Sequence, residues 1–142
     1  MKNILIYIFL LWSGFMFSQN EQLANNYYDK GDFEKAKIIY EDLLRNSPSN
    51  TQYFLRTIDC YQQLQQFDIA EKTILERYNR YKQGVFLVEL GYNYQLQKNE
   101  SKAKSYYEQA IEKIKTNPND VYGVGNAFEK KVLLEYALKS YQ

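Results

Sequence analysis

Histidine is missing from these 142 residues, cysteine appears once and proline twice. The first absence removes the commonest general base and the commonest metal ligand. The lone Cys60 has no partner for an internal disulfide and no imidazole to activate it, so it reads as a small apolar packing residue. Glycine is scarce too, at six, which disfavours a loop-rich or disordered chain. Nor does either sign of charge dominate: 18 Lys and Arg stand against 17 Asp and Glu. The basic field that nucleic-acid binding requires is therefore lacking. These gaps argue against an enzyme, a metal site, a cofactor, a small-molecule substrate or a nucleic-acid partner.

Tyrosine is what the chain has in quantity, with 15 copies beside eight phenylalanines, and these rings fall in register. Tyr27, Phe33, Ala36 and Tyr40 return 34 residues later as Tyr61, Phe67, Ala70 and Ile74. Tyr94, Ala103 and Tyr107 follow 33 residues on, and Phe128, Ala137 and Tyr141 after 34 more. A period in this range marks helix pairs that bury their apolar faces against the next pair. Within the first unit, Leu23, Ala24, Tyr27 and Tyr28 have helical spacing, Gly31 supplies a left-handed stop, and Asp32 is placed to cap the next helix. Asn46-Ser47-Pro48 ends that helix. The second unit opens with Ser49-x-x-Gln52 at capping-box spacing, and its Gln65-Gln66 turn has no glycine. In the third, Asn99 is a candidate N-cap, and Asn117 to Asp120 forms an exit turn. Ala24, Gly91 and Gly125 are small enough to let two helices approach closely. Gly123-Val124-Gly125 lacks both a preceding strand and a following Gly-Lys-Ser/Thr, so it does not read as a phosphate loop.

The N-terminus reads as a secretory leader. Lys2 is followed by an apolar stretch from Ile4 to Phe17, 14 residues interrupted only by Ser13 and Gly14. A membrane span needs about 20, so residues 1–18 are expected to be a signal peptide cleaved after Ser18, an uncleaved anchor being the alternative. Export without disulfides points to a bacterial periplasm or cell envelope. The remaining 19–142 then form one domain of repeats at about 19–50, 51–83, 84–117 and 118–142, the last incomplete.

These residues resemble the tetratricopeptide repeat family, whose signature is W-x2-L-G-x2-Y, then A-x3-F, then P. Leu90-Gly91-x-x-Tyr94 matches the first half and Leu23-Ala24-x-x-Tyr27 nearly so. Ala36-x-x-x-Tyr40 with Pro48, and Ala103-x-x-x-Tyr107, match the second. Asn20, Phe54, Leu87 and Val121 replace the tryptophan. The second repeat departs further, with Thr57 and Ile58 for Leu-Gly and Lys82 in place of proline. Pro118 falls three residues late. The repeat-signature positions are Ala24, Tyr27, Ala36, Tyr40, Pro48, Tyr61, Ala70, Leu90, Gly91, Tyr94, Ala103, Tyr107, Gly125, Phe128 and Ala137. The resemblance implies an all-α fold: a right-handed superhelical solenoid of antiparallel helix pairs, with three repeats and an incomplete fourth. It also implies a concave groove lined by the first helices.

By register that groove has three rows. Glu21, Leu55, Val88 and Tyr122 make the first; Asn25, Asp59, Tyr92 and Asn126 the second; Tyr28, Gln62, Gln95 and Glu129 the third. Amide and phenol side chains suit the backbone of an extended peptide. Chaperone-adaptor members of the family hold a C-terminal carboxylate with Lys, Arg and Asn, but here only Asn25 survives, beside Glu21, Asp59, Val85 and Glu89. Acids at those places favour a neutral to basic partner segment. Glu34, Lys35, Glu41, Asp42, Lys102, Lys104, Glu108, Glu112 and Lys113 read as outward solvated faces.

The expected role is an exported, non-catalytic scaffold that binds another protein or an extended peptide, with no membrane contact beyond the leader. The alternative is the sensory input region of a larger envelope signalling protein. Leu134, Leu138 and Tyr141 lie in a last helix shorter than its counterparts. They suggest that the chain continues or that a second subunit covers this end.

Overall fold

Each apolar stripe read from the sequence becomes one helix. The computed structural model describes residues 19–142, so the leader lies outside the described residues. Helix α1 occupies 19–29, followed by α2 (Phe33–Asn46), α3 (Thr51–Gln63), α4 (Phe67–Tyr81), α5 (Gly84–Leu96) and α6 (Glu100–Thr116). A 3-10 turn, Pro118–Asp120, leads into α7 (Val121–Lys130) and α8 (Leu134–Ser140). Among the described residues there are no strands, as the expected all-α class requires. No helix among them is long and apolar enough to cross a membrane.

The turns that join first to second helices repeat as faithfully as the helices. Gly31 (φ 77°), Gln65 (57°), Lys98 (60°) and Val132 (59°) occupy one register position, and all are left-handed. In three of these turns the following N–H reaches back to the repeat's aromatic residue: Asp32 N donates to Tyr27 O, Asn99 N to Tyr94 O and Leu133 N to Phe128 O, each at 2.9 Å. This is the Schellman closure, which needs a left-handed residue and usually takes glycine. Only the first turn has one. The other three hold side chains in a conformation that costs L-residues about 1–2 kcal/mol.

Helix starts are capped unevenly. Asn99 Oδ1 accepts from Lys102 N at 3.2 Å, and Asp32 Oδ1 from Lys35 N at 3.5 Å. The expected Ser49 capping box does not form. Asn50 is the cap, its Oδ1 accepting from Gln52 N at 2.9 Å and Tyr53 N at 3.1 Å. One asparagine oxygen one residue closer to the helix satisfies two of its orphan donors. Lys82, where proline was due, ends α4 with a left-handed φ of 54°. The late Pro118 opens the 3-10 turn whose Asp120 Oδ2 accepts from Gly84 N, the first residue of α5, at 2.8 Å.

The chain divides into two compact units, one ending at Gln65 and one running from Gln66 to Gln142. In the first, Ala24, Ala36, Tyr40, Leu43 and Cys60 form the core, edged by Tyr27, Tyr28, Phe33, Ile39 and Tyr53. In the second, α5 is central, packing on α4, α6 and α7. Every residue from Phe86 to Leu90 is buried, as a helix enclosed on several sides demands.

Gly91 and Gly125 show why small residues stand in first helices. A Cβ at Gly91 would collide with the Tyr107 ring, and one at Gly125 with the Tyr141 ring. Tyr107 is 3% exposed and cannot retreat, whereas Tyr141 is 43% exposed and can. Gly91→Ala should therefore destabilise the chain by about 1–3 kcal/mol through overpacking, and Gly125→Ala by clearly less. Urea unfolding followed by circular dichroism checks the order of the two.

Candidate protein-binding surface

The first helices α1, α3, α5 and α7 carry the twelve positions expected to face a partner. Three of these are carboxamides whose carbonyl is held by a tyrosine of the paired second helix. Tyr40 Oη donates to Asn25 Oδ1 at 2.6 Å. Tyr107 Oη donates to Gln95 Oε1 at 2.7 Å. Tyr141 Oη donates to Asn126 Oδ1 at 3.3 Å. Each ring lies against the small residue of its own hairpin (Ala24, Gly91 and Gly125 in turn), and burial fixes the Tyr40 and Tyr107 phenols in place, whereas the Tyr141 ring is exposed. With the oxygen engaged by the phenol, the amide N–H groups are the donors each carboxamide has to offer.

In the first unit the other positions are also held. Tyr53 Oη donates to Glu21 Oε2 at 3.0 Å. The Tyr28 ring meets Phe33 edge-on at 5.3 Å, and the Arg56 guanidinium sits 4.4 Å from its centroid. Burial, with Asp59 nearby, raises the Tyr28 phenol above its ordinary range. Leu55 and Asp59 are half-buried. Gln62 is 3% exposed, so its expected place in a groove wall is corrected: it is an interior residue.

In the second unit Val88 is wholly buried and likewise drops out of the expected first row, because α5 is enclosed where an edge helix would be open. Tyr92 is half-buried beneath the Lys131 ammonium, 4.2 Å from its ring centroid. Tyr122, at 75% exposed, Asn126 and Glu129 face solvent. Two further expectations change. Glu89 does not project as an exposed acid: it is 4% exposed and forms an ion pair with Lys131 Nζ at 2.9 Å. Glu41, read as an outward charge, is half-buried and accepts from Tyr61 Oη at 2.7 Å.

Arg56 and Lys131 were the residues sequence reasoning missed. Arg56 has Gln22, Glu89 and Gly123 at its register and Lys131 has Lys30, Leu64 and Gln97, so no register pattern singles them out. The Lys131 side chain is 8% exposed and that of Glu89 5%, and the Tyr92 ring adds cation–π attraction to their pairing. The Cys60 thiol is pushed up to about 12 by burial, which keeps it protonated and inert.

The repeat pattern has an independent counterpart. Residues 20–50 and 86–112 match the tetratricopeptide repeat family model. The matched segments are the first and third of the repeats read from tyrosine spacing. No curated protein matches the chain. Among solved structures, the type III secretion translocator chaperone SycD of Yersinia enterocolitica is similar with a TM-score of 0.65. Identity is 22%, and the match covers 84% of this chain and 87% of that one. PcrH from Pseudomonas aeruginosa is similar at TM-score 0.63 and 18% identity, covering 87% and 92%. PcrH in complex with the chaperone-binding region of PopB gives 0.61 and 18%, covering 79% and 91%. At these identities the likeness is one of fold. It is a likeness to tetratricopeptide-type helical chaperones.

Two outcomes follow from the buried groups. Lys131→Met strands the Glu89 carboxylate and should cost about 3–5 kcal/mol, while pairing it with Glu89→Gln should recover much of the loss in urea titrations. The second concerns alkali. Burial raises the Tyr40 phenol from 10.0 to about 12 and pushes Tyr61, Tyr94 and Tyr107 up as well. Folded values above the unfolded one mean that stability is intact below pH 10 and is lost as pH rises through about 12. A tyrosinate absorbance titration should show ionisation and loss of helix together in that window.

Proposed function

We propose that this chain is an exported, non-catalytic scaffold that binds extended segments of another protein on the first-helix faces of each of its two units. Residues 1–18 would direct it to a bacterial periplasm or envelope. One observation carries the binding reading: the oxygens of Asn25, Gln95 and Asn126 accept from the phenols of Tyr40 and Tyr107, which are buried, and of Tyr141, which is exposed, and this leaves their N–H groups as the donors. A backbone carbonyl is the acceptor that any extended peptide supplies, whatever its sequence. Preset donors lose little freedom on binding. The tetratricopeptide match and the chaperone-like fold support the same reading, since PcrH is seen in complex with a segment of PopB. The preference for a neutral to basic segment now rests on Glu21, Asp59 and Glu129, because Glu89 is neutralised by Lys131.

Asn25→Asp, Gln95→Glu and Asn126→Asp keep the shape and the acceptor for each tyrosine but remove the donor. Affinity capture from the native envelope, followed by peptide arrays of the captured protein, supplies the segment to measure. Each swap should weaken that segment's binding about tenfold, the loss of roughly one hydrogen bond, with circular dichroism unchanged. Tighter binding after the swaps would show that bare negative charge matters and would defeat the donor reading. An array dominated by acidic C-terminal tails would defeat the charge preference. N-terminal sequencing of the mature chain should begin at Gln19.

A further inference from the structure

The turn and start of α8 break three local rules at once. Val132, β-branched, takes the left-handed position where its counterparts are Gly31, Gln65 and Lys98, the least favourable choice there. Leu133 stands at the N-cap, where Asp32 and Asn99 stand in other repeats, and gives no side-chain bond. Leu138 replaces Lys37, Glu71 and Lys104. Val132, Leu134 and Leu138 are 75%, 65% and 61% exposed. The first two departures cost folding stability and all three add apolar side chains, the pattern of a site kept for contact.

A further stacked repeat is not what this patch awaits. The third-repeat equivalents of Val132, Leu134 and Leu138 are Lys98, Glu100 and Lys104, and these remain exposed although α7 and α8 are packed on α5 and α6. Positions that stacking does cover behave otherwise: Tyr107 is 3% exposed while its equivalent Tyr141 is 43%.

Charge selects the occupant. Glu135 and Lys139 flank the leucines one turn apart, paired at 2.6 Å and largely exposed. Laid antiparallel against a second α8, Glu135 meets the other copy's Lys139 and Lys139 meets its Glu135, both pairs along one flank of the Leu134 and Leu138 contact. A two-fold contact requires such self-complementarity. We infer that the α8 face, built on Leu134 and Leu138 with Val132 at its edge, is a self-association surface that joins two copies antiparallel. The carboxamides of α5 and α7 lie on first helices and stay free.

Sedimentation equilibrium of the full-length chain should show a concentration-dependent dimer. Leu138→Glu should raise the dimer dissociation constant by about tenfold or more, the effect of burying a charge in place of a leucine, with helix content unchanged. Val132→Gly should raise the unfolding midpoint yet weaken the dimer, which a purely structural valine would not do. Glu135→Lys and Lys139→Glu should each weaken self-association, and mixing the two variants should restore a heterodimer. A chain monomeric at every concentration overturns the inference, as does a dimer indifferent to Leu138→Glu. Leu138-dependent pelleting with anionic lipid vesicles, without dimerisation, also overturns it.

Discussion

A tyrosine ring set against a residue with little or no side chain is the contact on which the other features depend. In the hairpin of α1 and α2 the pair is Tyr40 with Ala24, and in those of α5–α6 and α7–α8 it is Tyr107 with Gly91 and Tyr141 with Gly125. The ring needs the gap because packed interiors leave no spare methylene volume. The gap needs the ring because an unfilled notch forfeits its dispersion contacts. Together they set how closely the two helices approach. The phenol oxygen then falls where it meets a carboxamide one or four residues beyond the small position.

That geometry ties packing to the proposed recognition. The side chain that closes the hairpin also holds the oxygen of the amide next to it, so the proposed donors sit on helices and not on loops. The same contact explains the spread of phenol acidities. A ring deep enough to close the hairpin is shielded from water, and its ionisation is suppressed. The left-handed turns are a second shared constraint. A Schellman closure onto the backbone carbonyl of the aromatic position demands that backbone whichever residue is present. Gln65, Lys98 and Val132 therefore accept a conformation that their side chains disfavour.

Much of this was legible in residue order. Tyr27, Tyr61, Tyr94 and Phe128 announced the period, Gly31 and Asn99 marked the right turn and cap, and Gly91 marked the close approach. The errors about buried positions share one cause. Val88, Gln62 and Glu89 were placed on an open face by helical register, but register gives an angle around one helix and says nothing of how many neighbours enclose it. α5 has neighbours on several sides. Glu89 is tolerated inside only because Lys131, 42 positions later, supplies the counter-charge. Ser49 lost the cap to Asn50 for a more local reason, the better reach of one oxygen to two amides.

By itself, then, the order of residues determined the helices, the pairing of successive helices within each unit and the small positions between them. All of these arise from contacts within three or four residues or at a constant spacing. Tertiary structure alone decided which polar groups face inward. It joined Glu89 to Lys131, turned Asp120 into the cap of a helix that starts 36 residues earlier, and pinned Asn25, Gln95 and Asn126 by their oxygens. Such partners meet at no fixed interval, so their energies depend on distance and desolvation in the folded chain, and no periodicity could announce them.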